Sequence, residues 1–181
     1  LPELSDEELL HLYKAMIFSR IIDEKALSYQ RQGRMLTYAP NLGQEAAQVG
    51  SAYATNKEDW LAPSFRELGA LLIKGVPLKS IYLYWYGNEW GSNTPDGVNV
   101  LPTSVPIASQ LQHATGIAMA SNIKGEKSVA IGYVGDGGTS QGDFHEALNF
   151  ASVFKAPVVF VVQNNQWAIS VPRKIQTKSE N

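Results

Sequence analysis

Two short runs of this chain hold side chains that can do chemistry together. The first is Gly135-Asp136-Gly137-Gly138-Thr139-Ser140-Gln141-Gly142, and the second is Gln163-Asn164-Asn165. Asp136 offers a carboxylate and Asn165 an amide oxygen, the hard donors a magnesium ion takes in octahedral geometry, commonly beside phosphate. Glycines let a backbone come close to a diphosphate. The helix expected next, with Ser140 and Asp143 spaced as a capping box, offers unpaired N–H groups to an anion. Together the runs predict a metal-bridged diphosphate site. Taken singly, each has a plainer meaning, a glycine-rich strand end and an Asn-Asn turn. The chemical reading gains weight because both runs close strands of one unit.

Those strands are Val129-Ala-Ile-Gly-Tyr-Val134 and Pro157-Val-Val-Phe-Val-Val162, both read as buried on two faces, with a helix from Gln141 to Phe154 between them. Such a pair forms a right-handed βαβ unit in a parallel sheet. Ligands of open α/β sheets bind beyond the carboxyl ends of the strands. Neighbouring strands lie about 5 Å apart, so Asp136 and Asn165 are expected to converge although remote along the chain.

The remaining elements are read from periodicity and caps. Ser5-Asp6-Glu7-Glu8 is a capping box, and the helix it opens carries apolar residues Leu9, Leu12, Tyr13, Met16 and Ile17 and runs to Gly33. Helices are predicted over Gln44 to Ala54, Phe65 to Lys74 (stopped by Gly75), Pro77 to Tyr86 and Ser109 to Asn122, with a short strand at Trp60 to Ala62. Gly87 to Pro106 has no clear period and reads as a long loop, of the kind that is functional or disordered. The expected fold class is α/β, a parallel sheet flanked by helices, in a single domain over residues 1–181.

Composition narrows the function classes. Hydrophobic residues are 44% and charged residues 18% of the 181 positions, as in a soluble globular protein. A net charge of -2 gives no basic surplus to draw nucleic acid or an anionic membrane. With no cysteine, disulfides, thiolate nucleophiles and Cys-ligated zinc are excluded. Leu1-Pro2-Glu3-Leu4-Ser5-Asp6-Glu7-Glu8 is too acidic for a signal or transit peptide, and no apolar run approaches the roughly 20 residues that span a bilayer.

Gly135-Asp136-Gly137, followed one βα unit later by Asn164-Asn165, resembles the thiamine diphosphate motif. Gly-Asp-Gly-Gly-Thr-Ser-Gln-Gly-Asp-Phe, Phe154-Lys-Ala-Pro157 and Gln163-Asn-Asn-x-x-Ala-Ile-Ser170 resemble the alpha subunits of thiamine-diphosphate-dependent 2-oxo acid dehydrogenases, in the wording of their pyruvate branch. Arg31-Gln-Gly-Arg34, Tyr38-Ala-Pro40, Gly43-Gln-Glu-Ala46 and Gly97-Val-Asn-Val-Leu-Pro102 extend the likeness over nearly the whole chain.

The resemblance implies thiamine diphosphate and Mg2+ as cofactors. Asp136, Asn165 and the backbone carbonyl of Trp167 would be the metal ligands, and Gly137 and Gly138 would meet the diphosphate through N–H groups. Arg66 matches an arginine that pairs with the diphosphate, and Phe65 stands where the family usually has tyrosine. Val105-Pro106-Ile107 matches the segment whose bulky apolar side chain props the cofactor, with Ile107 the candidate, although plain core is as good a reading. Asp143 and Glu146 match acids between the two active sites of the tetramer and are candidate proton-relay groups. As an alternative they stabilise a helix N-terminus.

The implied reaction is oxidative decarboxylation of pyruvate with acetyl transfer to a lipoyl arm. The implied partners are a beta subunit in an α2β2 heterotetramer, which supplies the activating glutamate, and a lipoyl-bearing acyltransferase core. No general acid or base is assigned within this chain. Family members run longer, so the fold would be partial here, its C-terminal part absent. A bacterial cytoplasmic setting is expected, or the mitochondrial matrix in a eukaryote.

Rivals are the branched-chain and acetoin branches, for which Tyr29-Gln-Arg-Gln-Gly-Arg34 also fits, and a non-catalytic assembly chain. His11 reads as solvated, and His113 and His145 read as partly buried structural histidines, with lining a channel as the alternative. The aromatic run Tyr82 to Trp90 reads as packing or subunit contact.

Overall fold

The computed structural model describes residues 3–179. Leu1 and Pro2, which belong to the acidic N-terminal run, lie outside the described residues, as do Glu180 and Asn181. In chain order the elements are α1 (Asp6–Arg31), α2 (Glu45–Tyr53), β1 (Trp60–Ala62), α3 (Leu68–Ile73), α4 (Leu78–Tyr86), a 3-10 turn (Glu89–Ser92) and α5 (Ser109–Lys124). There follow β2 (Ala130–Gly135), a second 3-10 turn (Asp136–Ser140), α6 (Gly142–Val153), β3 (Val158–Gln163), β4 (Trp167–Ala168), β5 (Val171–Pro172) and α7 (Arg173–Gln176). Two compact units result, Leu1–Lys57 with Arg66–Val100, and Glu58–Phe65 with Leu101–Asn181. No helix among the described residues is long and apolar enough to cross a membrane.

In the first unit, α1 opens with the expected capping box. Glu8 N donates to Ser5 Oγ at 3.3 Å, and Ser5 N donates to Glu8 Oε2 at 2.8 Å. The helix ends before Gly33, whose φ of 71° suits glycine. One face buries Leu12, Ile22 and Ala26, and Ala26 packs with Met35 and Tyr38. Tyr82 and Trp85 of α4 join that cluster, and Tyr82 OH donates to Ile22 O at 2.7 Å. Of the aromatic run, these two are packing residues, whereas Tyr86 and Trp90 are exposed.

The helix expected from Phe65 begins only at Leu68. Its first N–H groups are met by side chains from elsewhere in the unit: Leu68 N donates to Asn41 Oδ1 and Gly69 N to Gln48 Oε1. Arg66 and Glu67 therefore stay outside the helix. Tertiary partners set this boundary, and a propensity reading does not contain them.

In the second unit, β1, β2 and β3 form a parallel sheet in the order β1-β2-β3, with Trp60 opposite Ala130 and Ala130 opposite Val158. Helix α5 lies on the sheet, its Ala114 and Ala118 packed with Ala62 and Ala130, and Leu111 with Val134 and Ala147 of α6. Gly132 allows that approach, because a Cβ there would stand 2.7 Å from Leu111 Cδ2. This is the α/β class expected, a parallel sheet flanked by helices.

Strand β2 is buried along its apolar length, but β3 is not, with Val159 and Val162 exposed at 49% and 40%. Among the described residues β3 is the sheet's edge, so only one side of it is paired. A run of valines specifies a strand that can be buried on both faces. It does not specify a neighbour.

Candidate functional site

The site lies at the carboxyl end of β2 and β3. Gly135 is opposite Gln163 in the parallel register, so Asp136 and Asn164 leave neighbouring strand ends. Asp136 through Ser140 wind into a 3-10 turn, held by Thr139 Oγ1 donating to Asp136 O at 2.7 Å. The Ser140/Asp143 capping box does not form. Gln141 is the residue before α6, with no side-chain cap, and Ser140 Oγ pairs with Gln176 Nε2 of α7. The glycine-rich run takes up its own turn first, and Ser140 becomes the end of that turn rather than a cap.

Asp136 is buried at 6% exposure, and its Oδ2 has no hydrogen-bond partner among the described residues. Burying such an acceptor unpaired costs about 1–3 kcal/mol or more for a charged group. Gln176 Oε1 is likewise buried without a partner, while Gln176 Nε2 lies 3.5 Å from Gly137 O. Two orphaned acceptor oxygens thus border the same turn. Oxygens of this kind suit a hard cation, and an octahedral ion draws its ligands from carboxylate, amide and backbone oxygens alike.

Gly137 and Gly138 are required by close packing. A Cβ on Gly137 would stand 2.6 Å from Ala168 Cβ, and one on Gly138 would stand 2.4 Å from Val134 Cγ2 and 3.1 Å from Ile107 Cγ2. These contacts bring three remote segments to one turn: Ile107 before α5, the glycines after β2, and Ala168 in the β4/β5 hairpin. Ile107 is 42% exposed and Val105 is exposed too, so Ile107 borders the turn and is not plain core.

Asn164 and Asn165 are a turn, as their plainer reading had it. Gln166 N donates to Asn164 Oδ1 at 3.0 Å and Trp167 N to Asn165 Oδ1 at 2.9 Å. Gln166 takes the left-handed φ of 70°, which swings Trp167 into β4, next to the 3-10 turn. Asn165 and Trp167 are both exposed.

Asp143 and Glu146 sit on the first turns of α6, and both accept from Gln112 Nε2 of α5, at 3.2 and 2.9 Å. Sequence reasoning missed Gln112 and Gln176. Gln112 is a polar residue inside an ordinary helical stretch and Gln176 ends a four-residue helix, and nothing local distinguishes them. His113 and His145 are exposed, which corrects the partly buried reading, and His11 is exposed as expected.

Arg66 belongs to the first unit, where its Nη1 donates to Pro40 O. Phe65, half-buried, ends the β1 segment of the second. Elsewhere in the first unit, Arg20 grips Glu45 with both arms, the second at 2.9 Å. That bond holds the Glu45 carboxyl down at about 2. Burial, followed by the hydrogen bond to Asp23, pushes the Tyr38 phenol well above its ordinary value.

A parallel sheet with helices against it defines an α/β fold, and the buried carboxylate of Asp136 stands at the carboxyl end of one of its strands, where open sheets of this class bind ligands. The solved structure of an enzyme from Mycobacterium smegmatis, described as thiamin diphosphate-dependent, shares this fold: TM-score 0.50 at 21% identity, over 70% of this chain and 21% of that one. The sequence model of the dehydrogenase E1 component matches residues 13–181, and the chain belongs to that family.

Among its relatives is the pyruvate dehydrogenase E1 component subunit alpha of Acholeplasma laidlawii, 56% identical over 179 residues, which are 99% of this chain and 52% of the relative. The proteins of the same description from Staphylococcus aureus and Staphylococcus epidermidis are 46% and 45% identical, over 99% of this chain and 48% of each. The chain thus spans about half the length of the curated relatives it matches.

Proposed function

We propose that this chain acts as the alpha subunit of a thiamine-diphosphate-dependent 2-oxo acid dehydrogenase, decarboxylating pyruvate oxidatively and passing the acetyl group to a lipoyl arm. The single observation behind this reading is the buried, unpartnered Oδ2 of Asp136 beside a tightly packed glycine turn. Family membership and the description of the 56% identical relative support the pyruvate branch.

In this reading Asp136 Oδ2, the side chain of Asn165 and the carbonyl of Trp167 hold Mg2+. Gly137 and Gly138 offer backbone N–H groups to the diphosphate, and Arg66 pairs with it beside Phe65. Ile107, with Val105, props the cofactor from the apolar side. Thiamine diphosphate supplies, when bound, an acidic thiazolium carbon and an electron sink for loss of carbon dioxide. Asp143 and Glu146, tied by Gln112, move or store protons between active sites. The residues from 1 to 181 serve as one cofactor-binding domain. A beta subunit completes an α2β2 heterotetramer that docks on a lipoyl-bearing acyltransferase core, in the cytoplasm of a bacterium.

Calorimetry with thiamine diphosphate and Mg2+ on the chain co-purified with its beta subunit tests the reading. Binding that Asp136→Ala removes is expected, and binding that survives the substitution sinks the metal assignment. Rates with pyruvate and with 3-methyl-2-oxobutanoate then separate the pyruvate from the branched-chain branch, and pyruvate is expected to be the faster substrate.

A further inference from the structure

Arg66 is held by a chain of buried polar side chains that the reaction itself does not use. Gln48, 1% exposed on α2, donates its Nε2 to the backbone carbonyl of Arg66 and, at 3.3 Å, to Asn41 Oδ1. Its Oε1 accepts from Gly69 N at 2.9 Å. Asn41, 4% exposed, accepts from Leu68 N at 3.2 Å. Its own N and Nδ2 donate to Asp23 Oδ1 at 2.8 and 3.2 Å. Asp23, 3% exposed, also takes Tyr38 OH at 2.6 Å. This network fixes the segment from Tyr38 to Asn41, and Pro40 within it presents the carbonyl that receives Arg66 Nη1. Arg66 is thus gripped at its backbone by Gln48 and at its guanidinium by the loop that Asp23 and Asn41 pin down.

A helix cap alone accounts for two of these bonds, those from Leu68 N and Gly69 N. It does not account for the Gln48 amide spending a donor on the carbonyl of Arg66, two residues before α3 begins. Buried polar networks of this kind hold their members in one arrangement when each is satisfied. A guanidinium presents its donors to a phosphate in a rigid fork, so the orientation of that fork sets which oxygens it reaches.

We infer that Gln48 is a positioning residue for Arg66, setting the arginine in the orientation that receives the cofactor's diphosphate. The inference rests on the proposed role of Arg66 as the diphosphate's partner. In the complex with the beta subunit, Gln48→Met is expected to weaken thiamine diphosphate binding about tenfold, which is about 1.4 kcal/mol. Affinity for free thiamine, read by competition, is expected to change less than about twofold, well under that 1.4 kcal/mol. In an Arg66→Met background, Gln48→Met should cost nothing further, because the residue it positions is gone.

Equal losses for thiamine and thiamine diphosphate, or additive losses in the double variant, would overturn the inference and leave Gln48 a structural residue. If Arg66→Met alone leaves diphosphate affinity intact, it is the role of Arg66 that fails instead. Should Gln48→Met not fold, Gln48→Ser, polar but too short to reach Arg66 O, carries the same expectation.

Discussion

Gln112 Nε2 on α5 donates to Glu146 Oε2 on α6 at 2.9 Å, and the same nitrogen lies 3.2 Å from Asp143 Oδ1. One neutral amide thus ties together two carboxylates that share a helix face. The tie is exposed, so it adds little to stability, but it fixes where the acids point. Gln112→Leu is expected to leave the urea midpoint nearly unchanged, within about 0.5 kcal/mol as for most surface changes. Turnover in the reconstituted complex should fall several-fold. Unaltered turnover would return Asp143 and Glu146 to the simpler role of helix-terminal acids.

The orphaned Oδ2 of Asp136 destabilises the chain wherever no cation or donor meets it. Asp136→Ala removes that buried acceptor and should stabilise the cofactor-free chain by about 1 kcal/mol, at the low end of the usual penalty. It should also abolish Mg2+-dependent binding. Urea melts without cofactor check the first half, and a loss of stability there would mean that the carboxylate has an unseen structural partner.

Gly138 tolerates no side chain, since an added Cβ would stand 2.4 Å from Val134 Cγ2. Gly138→Ala is expected to destabilise the second unit by about 1–3 kcal/mol, the usual cost of overpacking. Because Ile107 Cγ2 closes the other side at 3.1 Å, Gly138→Ala with Ile107→Ala, which removes that methyl, should recover part of that loss. Thermal denaturation of the single and double variants reads both effects.

Phe65 lacks the hydroxyl that tyrosine would bring beside Arg66 in the chain. A hydrogen bond to a charged group contributes about 1.5–3 kcal/mol when fully formed. Phe65→Tyr should therefore tighten thiamine diphosphate binding, by about tenfold where a hydroxyl delivers the lower figure. An unchanged dissociation constant would show that the position does not meet the diphosphate.

Glu45 gives the first unit a pH dependence of defined sign. The bond from Arg20 lowers its carboxyl from 4.5 to about 2, so the folded chain holds the charged form more strongly than the unfolded chain does. The stabilisation is complete above pH 4.5 and is lost as pH falls toward 2. Glu45→Gln should flatten that part of the stability profile while leaving the rest of its shape alone. Chemical melts between pH 2 and 6 on both proteins are the measurement, and parallel profiles would remove Glu45 as the cause.

Much of the molecule could be read from the chain alone, and for a local reason. The capping box at Ser5 and the helix it opens, the apolar runs of β2 and β3 and the glycines after β2 are encoded by neighbours in sequence, whereas of the apolar positions read for α1 Leu9, Tyr13 and Ile17 are exposed. So is the convergence of the two strand ends, because a βαβ unit has one hand and one spacing. The tertiary structure decided everything that depends on a partner far along the chain. It turned Ser140 from a helix cap into the mate of Gln176, and among the described residues it left β3 at an edge. It also set the start of α3 through Asn41 and Gln48, and it made Gln112 the link between two acids. A side chain's type says which bonds it can make, but the partner it makes them with is chosen only when the chain folds.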